Sequence, residues 1–225
     1  LLDAQQGATR DRDFASFCRK LKNFAGIKPK AAPRTFRGDL RDYQKDGLGW
    51  LNFLREFRLG GCLADDMGLG KTVQVLAMLD SRRTRKLKSE EVRKPSLIVV
   101  PKSLIFNWMA EAERFAPNLT IINYTGTART EVFSDIADAD AMITTYGTLR
   151  KDITQLTEME FDYAVLDESQ AIKNSGSLSS KACRLIKADH RLAMTGTPVE
   201  NHLGELWSLF EFLNPGMLGS SNAFK

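Results

Sequence analysis

The chain has 225 residues, 43% of them hydrophobic and 27% charged, with a formal net charge of +4. Those proportions suit an ordinary globular α/β chain with a substantial core, and they exclude wholesale disorder. No apolar run approaches the roughly 20 residues that span a bilayer, and the polar first dozen residues do not read as a signal peptide. Three scattered cysteines, Cys18, Cys62 and Cys183, and only two histidines, His190 and His202, leave almost no ligands for zinc and suggest reduced thiols.

Residues 1–38 carry nine Lys or Arg against three Asp. They are expected to form a basic, helical N-terminal extension over 1–35, ending in a Pro- and Ala-containing linker at 28–33. A second basic stretch, 82–94, holds seven positive and two negative side chains. Such runs are solvated faces or phosphate-attracting surfaces, and charge alone does not decide between them. From Leu40, the apolar residues Leu40, Tyr43, Leu48, Leu51 and Leu54 recur at helical spacing, ending near Gly60-Gly61. Six strand-like runs follow, at 62–64, 97–100, 121–124, 141–145, 163–166 and 191–195. Helix-like segments at 72–81, 104–115, 179–187 and 203–212 alternate with them. The pattern predicts a mostly parallel sheet sandwiched by helices, with functional residues beyond the carboxyl ends of the strands.

The sharpest motif is DDMGLGKT at 65–72, which follows a strand and opens a helix. Asp66, Met67, Gly68, Leu69 and Gly70 form the loop whose backbone N–H groups can converge on phosphate oxygens. Lys71 reaches the β/γ phosphates, and the Thr72 hydroxyl can ligate Mg²⁺. Asp65 stands where the general phosphate-loop pattern has its first glycine. A dinucleotide fingerprint fits less well, because Val73 occupies the position of its last glycine. The second motif is Asp167-Glu168 at the end of an apolar strand. Asp167 would hold Mg²⁺, and Glu168 would polarise the water attacking the γ-phosphate. Alone, such a pair can equally cap the next element. The third, Thr195-Gly196-Thr197-Pro198, reads as a turn or as a γ-phosphate sensor at another strand end.

These motifs occur in one order with Leu40-Arg41-Asp42-Tyr43-Gln44, Pro101-Lys102-Ser103-Leu104, Thr144-Thr145-Tyr146, DESQAIKN at 167–174 and TGTPVEN at 195–201. Over residues 36–225 the set resembles the first motor lobe of the SWI/SNF-type helicase-like ATPases, in a bacterial member. The resemblance implies a P-loop NTPase lobe of RecA-like fold, ATP and Mg²⁺ as cofactors, and a cytoplasmic, nucleoid-associated setting. It implies that Gln44 reads adenine and that Lys102, Ser103, Thr145 and Tyr146 touch the backbone of duplex DNA without reading sequence. Gln170, Thr195, Gly196 and Thr197 would couple nucleotide state to a second RecA-like lobe, for which this chain has no room. The implied activity is a DNA-dependent ATPase that moves on duplex DNA and remodels protein–DNA complexes, with this lobe alone nearly inactive. Two rivals share the motifs. A strand-separating helicase would need a separating element not visible here, and a binding module without catalysis is disfavoured by the joint presence of Lys71, Thr72, Asp167 and Glu168. Left open are Gln44 as a merely exposed polar residue and Ser103 as a helix N-cap.

Overall fold

The structure is a computed structural model that describes residues 18–19, 21–22, 24, 26–66, 68–86, 94–197 and 203–220. Six strands form one sheet in the order β1-β6-β5-β2-β4-β3, every pairing parallel. In chain order they are β1 (Gly61–Leu63), β2 (Ser96–Val100), β3 (Ile121–Asn123), β4 (Ala141–Thr145), β5 (Glu160–Leu166) and β6 (Lys187–Met194). The helices are α1 (Asp42–Glu56), α2 (Lys71–Lys86), α3 (Ile105–Phe115), α4 (Tyr146–Lys151), α5 (Ile153–Leu156), α6 (Leu178–Leu185) and α7 (Leu203–Leu213).

The central strands read as continuous apolar runs because both of their faces are covered. Successive side chains of β2 alternate between two cores. Ile98 and Val100 join Leu48, Leu76, Trp108, Val165 and Met194 beneath α1–α3. Leu97 and Val99 join Leu149, Phe161, Cys183, Ala193 and Phe212 on the other face. Register brings the strand ends level: Leu63 pairs with Met194, Leu166 with Ala193 and Val99, and Val100 with Thr145. The loops after β1, β2, β4, β5 and β6 therefore open on one edge of the sheet.

All six expected strands are present, with shifted ends. β5 starts at Glu160 and β6 at Lys187, earlier than their apolar runs. Asp162 interrupts the pattern of β5, yet it is buried as the partner of Arg82 on α2, which reaches it through Nε (2.9 Å) and Nη2 (2.8 Å). The helix expected over 179–187 stops at Leu185, because Ile186 is already extended. The two short helices α4 and α5 have no counterpart among the expected elements.

Residues 26–36, which contain the expected linker, run across the lobe as a strap. The Phe24 ring lies 4.8 Å from Phe53 of α1, and the Lys30 N–H donates to the Lys45 carbonyl at 2.9 Å. A Cβ on Gly49 would sit 2.1 Å from the Lys28 carbonyl oxygen, so that glycine is the seat of the strap. Farther on, Thr35 Oγ1 donates to Asp80 of α2 at 2.6 Å, and the Phe36 ring stacks on Phe115 of α3. At the other end of the lobe, the Asn214 amide pairs with both backbone groups of Gly60, accepting at 2.8 Å and donating at 3.0 Å. That clamp fixes the chain just before β1.

Candidate nucleotide site and the loops beside it

The loop between β1 and α2 is shaped by two glycines. Gly68 and Gly70 have φ of +83° and +76°, a region that β-carbon-bearing residues avoid. At Gly70 a Cβ would also lie 2.6 Å from Gln44 Nε2. Gln44 is buried, and both ends of its amide are engaged. Its Oε1 accepts from the Arg41 N–H (2.9 Å), and its Nε2 donates to the Leu69 carbonyl (3.2 Å). Tyr43 Oη donates to that same carbonyl at 2.9 Å. Gln44 is thus no idle exposed residue: it ties the start of α1 to the phosphate loop.

Lys71 Nζ donates to the carbonyls of Asp65 and Asp66, at 2.5 and 3.1 Å, which places the ammonium at the mouth of the loop. Asp65, the departure from the general loop pattern, has a structural partner: its carboxylate accepts from Gln74 Nε2 at 2.9 Å. Gln74 is almost fully buried, and its Oε1 faces α1 where only Gly47 leaves space. Thr72 is half-buried in the first turn of α2. Met67 lies outside the described residues, as do 198–202 of the TGTPVEN stretch and its neighbour.

Two strands away, Asp167 and Glu168 leave the end of β5. Asp167 is buried, with Oδ2 accepting from the Trp108 indole N–H (2.8 Å) and Oδ1 from the Glu168 N–H (2.9 Å). Burial pushes its carboxyl above the usual carboxylate range, and the Trp108 bond, the Glu168 N–H and the charge of Lys71 offset part of that rise. Glu168 sits at φ +47°, a left-handed conformation that costs a residue with a side chain about 1–3 kcal/mol. Its carboxylate is held by Gln170 Nε2 at 2.6 Å. The other end of that amide, Gln170 Oε1, accepts from Thr195 Oγ1 at 3.1 Å. Thr195 Oγ1 in turn accepts from the Thr197 N–H (3.0 Å), and the Thr195 N–H donates to Leu63 at the end of β1 (3.2 Å). Glu168, Gln170, Thr195 and Thr197 therefore form one hydrogen-bonded relay across β5, β6 and β1. Gly196 lies between its last two members.

The loops after β2 and β4 differ from each other. Lys102 and Ser103 are exposed in a single 3-10 turn (Lys102–Leu104) that leads into α3, and Ser103 makes no capping bond. Phe106 beside them is 83% exposed. Thr145 caps α4, accepting from the Thr148 N–H at 3.1 Å. Tyr146 faces inward: it is buried, and its hydroxyl donates to the Asp167 carbonyl at 2.7 Å. Burial pushes this phenol well above the ordinary tyrosine value, so it stays a neutral donor. The expected DNA contact of Tyr146 would therefore fall to its backbone, since a phenol spent on Asp167 is not offered to a ligand outside. Sequence reasoning also missed Tyr43, Asp65, Gln74 and Trp108. Only Tyr43 and Asp65 lay within quoted motifs.

The donor set suits ATP with a hard cation. Thr72 supplies a hydroxyl and Asp167 a desolvated carboxylate, the oxygen ligands Mg²⁺ prefers. Among the described residues there is no group of three or more His, Cys, Asp or Glu able to hold a metal.

Comparison with known proteins gives this arrangement a family. The SNF2-related domain model matches residues 43–225. The chain belongs to the SNF2-related domain family. It is 41% identical to TATA-binding protein-associated factor MOT1 of Saccharomyces cerevisiae, over 97% of this chain and 12% of that protein. It is 38% identical to the putative ATP-dependent helicase/translocase YwqA of Bacillus subtilis, over 100% of this chain and 26% of that protein. The Sulfolobus solfataricus SWI2/SNF2 ATPase core in complex with dsDNA superposes with a TM-score of 0.77 at 40% identity, covering 90% of this chain and 40% of that one. The fold is thus that of part of the SNF2 ATPase core, and the chain spans well under half the length of these relatives.

Proposed function

We propose that this chain is the ATP-binding lobe of a DNA-dependent ATPase that moves along duplex DNA and remodels protein–DNA complexes. The observation that carries the reading is the meeting, at the ends of β1, β6 and β5, of the Gly68/Gly70 loop, Lys71, Asp167 and Glu168. In this reading the loop N–H groups and Lys71 hold the β- and γ-phosphates, and Gln44 would meet adenine by exchanging one of its bonds to Arg41 and Leu69. Thr72 and Asp167 would hold Mg²⁺, which when bound neutralises charge on the transferred phosphoryl group. Glu168, fixed by Gln170, orients the attacking water and accepts its proton.

Lys102, Ser103 and Thr145 would contact DNA phosphates, a mode of binding that positions without reading sequence. Support comes from their shared edge of the sheet and from the DNA-bound archaeal relative. The relay from Glu168 through Gln170 to Thr195 and Thr197 would pass nucleotide state to a second lobe. That lobe would supply an arginine worth roughly 10³–10⁵ in rate, so this lobe alone should bind ATP weakly and turn it over slowly. A nucleoid-associated setting would follow for a bacterial member, and the relatives include both a bacterial and a yeast protein.

Glu168→Gln in the parent protein tests the chemistry. It should still bind Mg·ATP while hydrolysis falls by at least about 100-fold. Hydrolysis within a few-fold of wild type would remove Glu168 from the role of base.

A further inference from the structure

Asp167 is gripped from two sides by groups that lie outside the phosphate loop. Trp108, 1% exposed, donates its indole N–H to Oδ2, and Tyr146 donates its hydroxyl to the main-chain carbonyl of the same residue. Each donor continues one of the two loops assigned to DNA. Trp108 stands in the opening turn of α3, which grows without a break from the 3-10 turn Lys102–Leu104. Tyr146 immediately follows Thr145, the last residue of β4.

We infer that these two hydrogen bonds couple the DNA-contacting loops to the nucleotide site, Trp108 and Tyr146 acting as positioning residues for Asp167. The inference rests on the function proposed above. Three features make the route a physical one. Both bonds are buried, so no water can replace a donor that moves away. Both donors belong to the sheet core: Trp108 packs with Ile98, Val100 and Val165, and Tyr146 with Leu97, Val99 and Leu166. Close-packed cores pass displacements on rather than absorbing them. Finally, Asp167 Oδ1 is pinned by the adjacent Glu168 N–H. A shift of Trp108 would then turn the carboxylate about that pin, while a shift of Tyr146 would move the peptide between Asp167 and Glu168, which carries both its acceptor carbonyl and the Glu168 N–H. A duplex that draws the loops after β2 and β4 together would adjust both residues of the pair at once.

The test is thermodynamic and needs no turnover. In the parent protein, the affinity for a fluorescent ADP with Mg²⁺ is measured without duplex DNA and at saturating duplex, and DNA affinity is measured with and without nucleotide. Wild type should show a factor between the two states on the order of tenfold, identical in both directions because linkage is reciprocal. In Tyr146→Phe, which deletes a single oxygen, and in Trp108→Phe, the factor should fall to within about twofold of one, whatever happens to either affinity alone. If Trp108→Phe fails to fold, Tyr146→Phe decides by itself. Variants that lower nucleotide affinity equally with and without DNA, keeping the wild-type factor, would make the bonds merely structural and overturn the inference while leaving the DNA assignment standing. A wild-type protein that binds duplex but shows no factor would overturn the inference and leave the DNA assignment standing, whereas one that does not bind duplex would overturn that assignment and the inference with it.

Discussion

Gly47 lies in the interior of α1, where helix propensity favours alanine over glycine by about 1 kcal/mol. The structure reverses the sign of that expectation. A Cβ at Gly47 would sit 1.9 Å from Gln74 Oε1 and 3.1 Å from its Cδ, so the Gln74 amide would have to move by more than an ångström. That amide is buried and bonded to the Asp65 carboxylate at 2.9 Å. Losing a hydrogen bond to a charged group costs about 1.5–3 kcal/mol, and crowding a packed site adds to it. Against the helix gain, Gly47→Ala should be destabilising by about 1–2 kcal/mol. Because Asp65 opens the phosphate loop, nucleotide affinity should fall as well. Urea denaturation and titration with a fluorescent nucleotide measure the two effects. The decisive comparison is made in a Gln74→Ala background, where the obstructing amide is gone and Gly47→Ala should become stabilising by about 1 kcal/mol. Gly47→Ala that stabilises the otherwise wild-type protein would refute the reasoning.

Arg58 has φ +53° just past the end of α1, and the bonds Arg58 N–H to Arg55 (3.1 Å) and Leu59 N–H to Leu54 (2.8 Å) close a turn that normally takes glycine. Arg58→Gly should raise stability by about 1 kcal/mol in the same denaturation assay. The Arg82–Asp162 pair is largely buried, at 14% and 3% side-chain exposure, so Arg82→Met should cost about 3–5 kcal/mol, far more than loss of a surface ion pair. Burial lowers the pKa of His190 below its ordinary value, so the unfolded chain takes up a proton more readily than the folded one. Its contribution is complete above the unfolded value near 6.5 and is lost as pH falls below that toward the folded one. His190→Phe, compared with wild type between pH 7 and 5, should therefore show a flatter loss of stability. Lys102→Ala should weaken duplex binding on every sequence alike and reduce the salt slope by about one phosphate contact, and an unchanged slope would place Lys102 away from the DNA.

How far the sequence could be read depended on whether a residue's partner was near in the chain. The β2 run at 97–100 is apolar without interruption because both faces are buried, and that pattern is visible locally. The places of the 65–72 loop and of Asp167–Glu168 at strand ends were legible for a similar reason, since each follows a short apolar run. β5 and β6 were cut short because Asp162 and the charged start of β6 look unlike strand until Arg82, 80 residues away, is brought alongside. The Trp108 bond to Asp167 spans 59 residues and the Asn214 clamp on Gly60 spans 154, and no local pattern announces either. The inward turn of Tyr146 is not legible in its motif. Its place beside Thr145 is a surface loop, but the side chain turns inward as α4 begins, and the Thr145 cap that starts that short helix was the available signal. The prolines at 29 and 33 suggest a linker, and that its course is fixed by the track Gly49 leaves across α1 is not legible locally.

The central claim is most directly tested by measuring ATP hydrolysis by the parent protein with and without duplex DNA, beside this 225-residue chain under the same conditions. The account predicts strong stimulation of the parent by duplex, abolished by Lys71→Ala, and only slow turnover by the lobe alone. A parent whose hydrolysis ignores DNA, or survives Lys71→Ala, would contradict it.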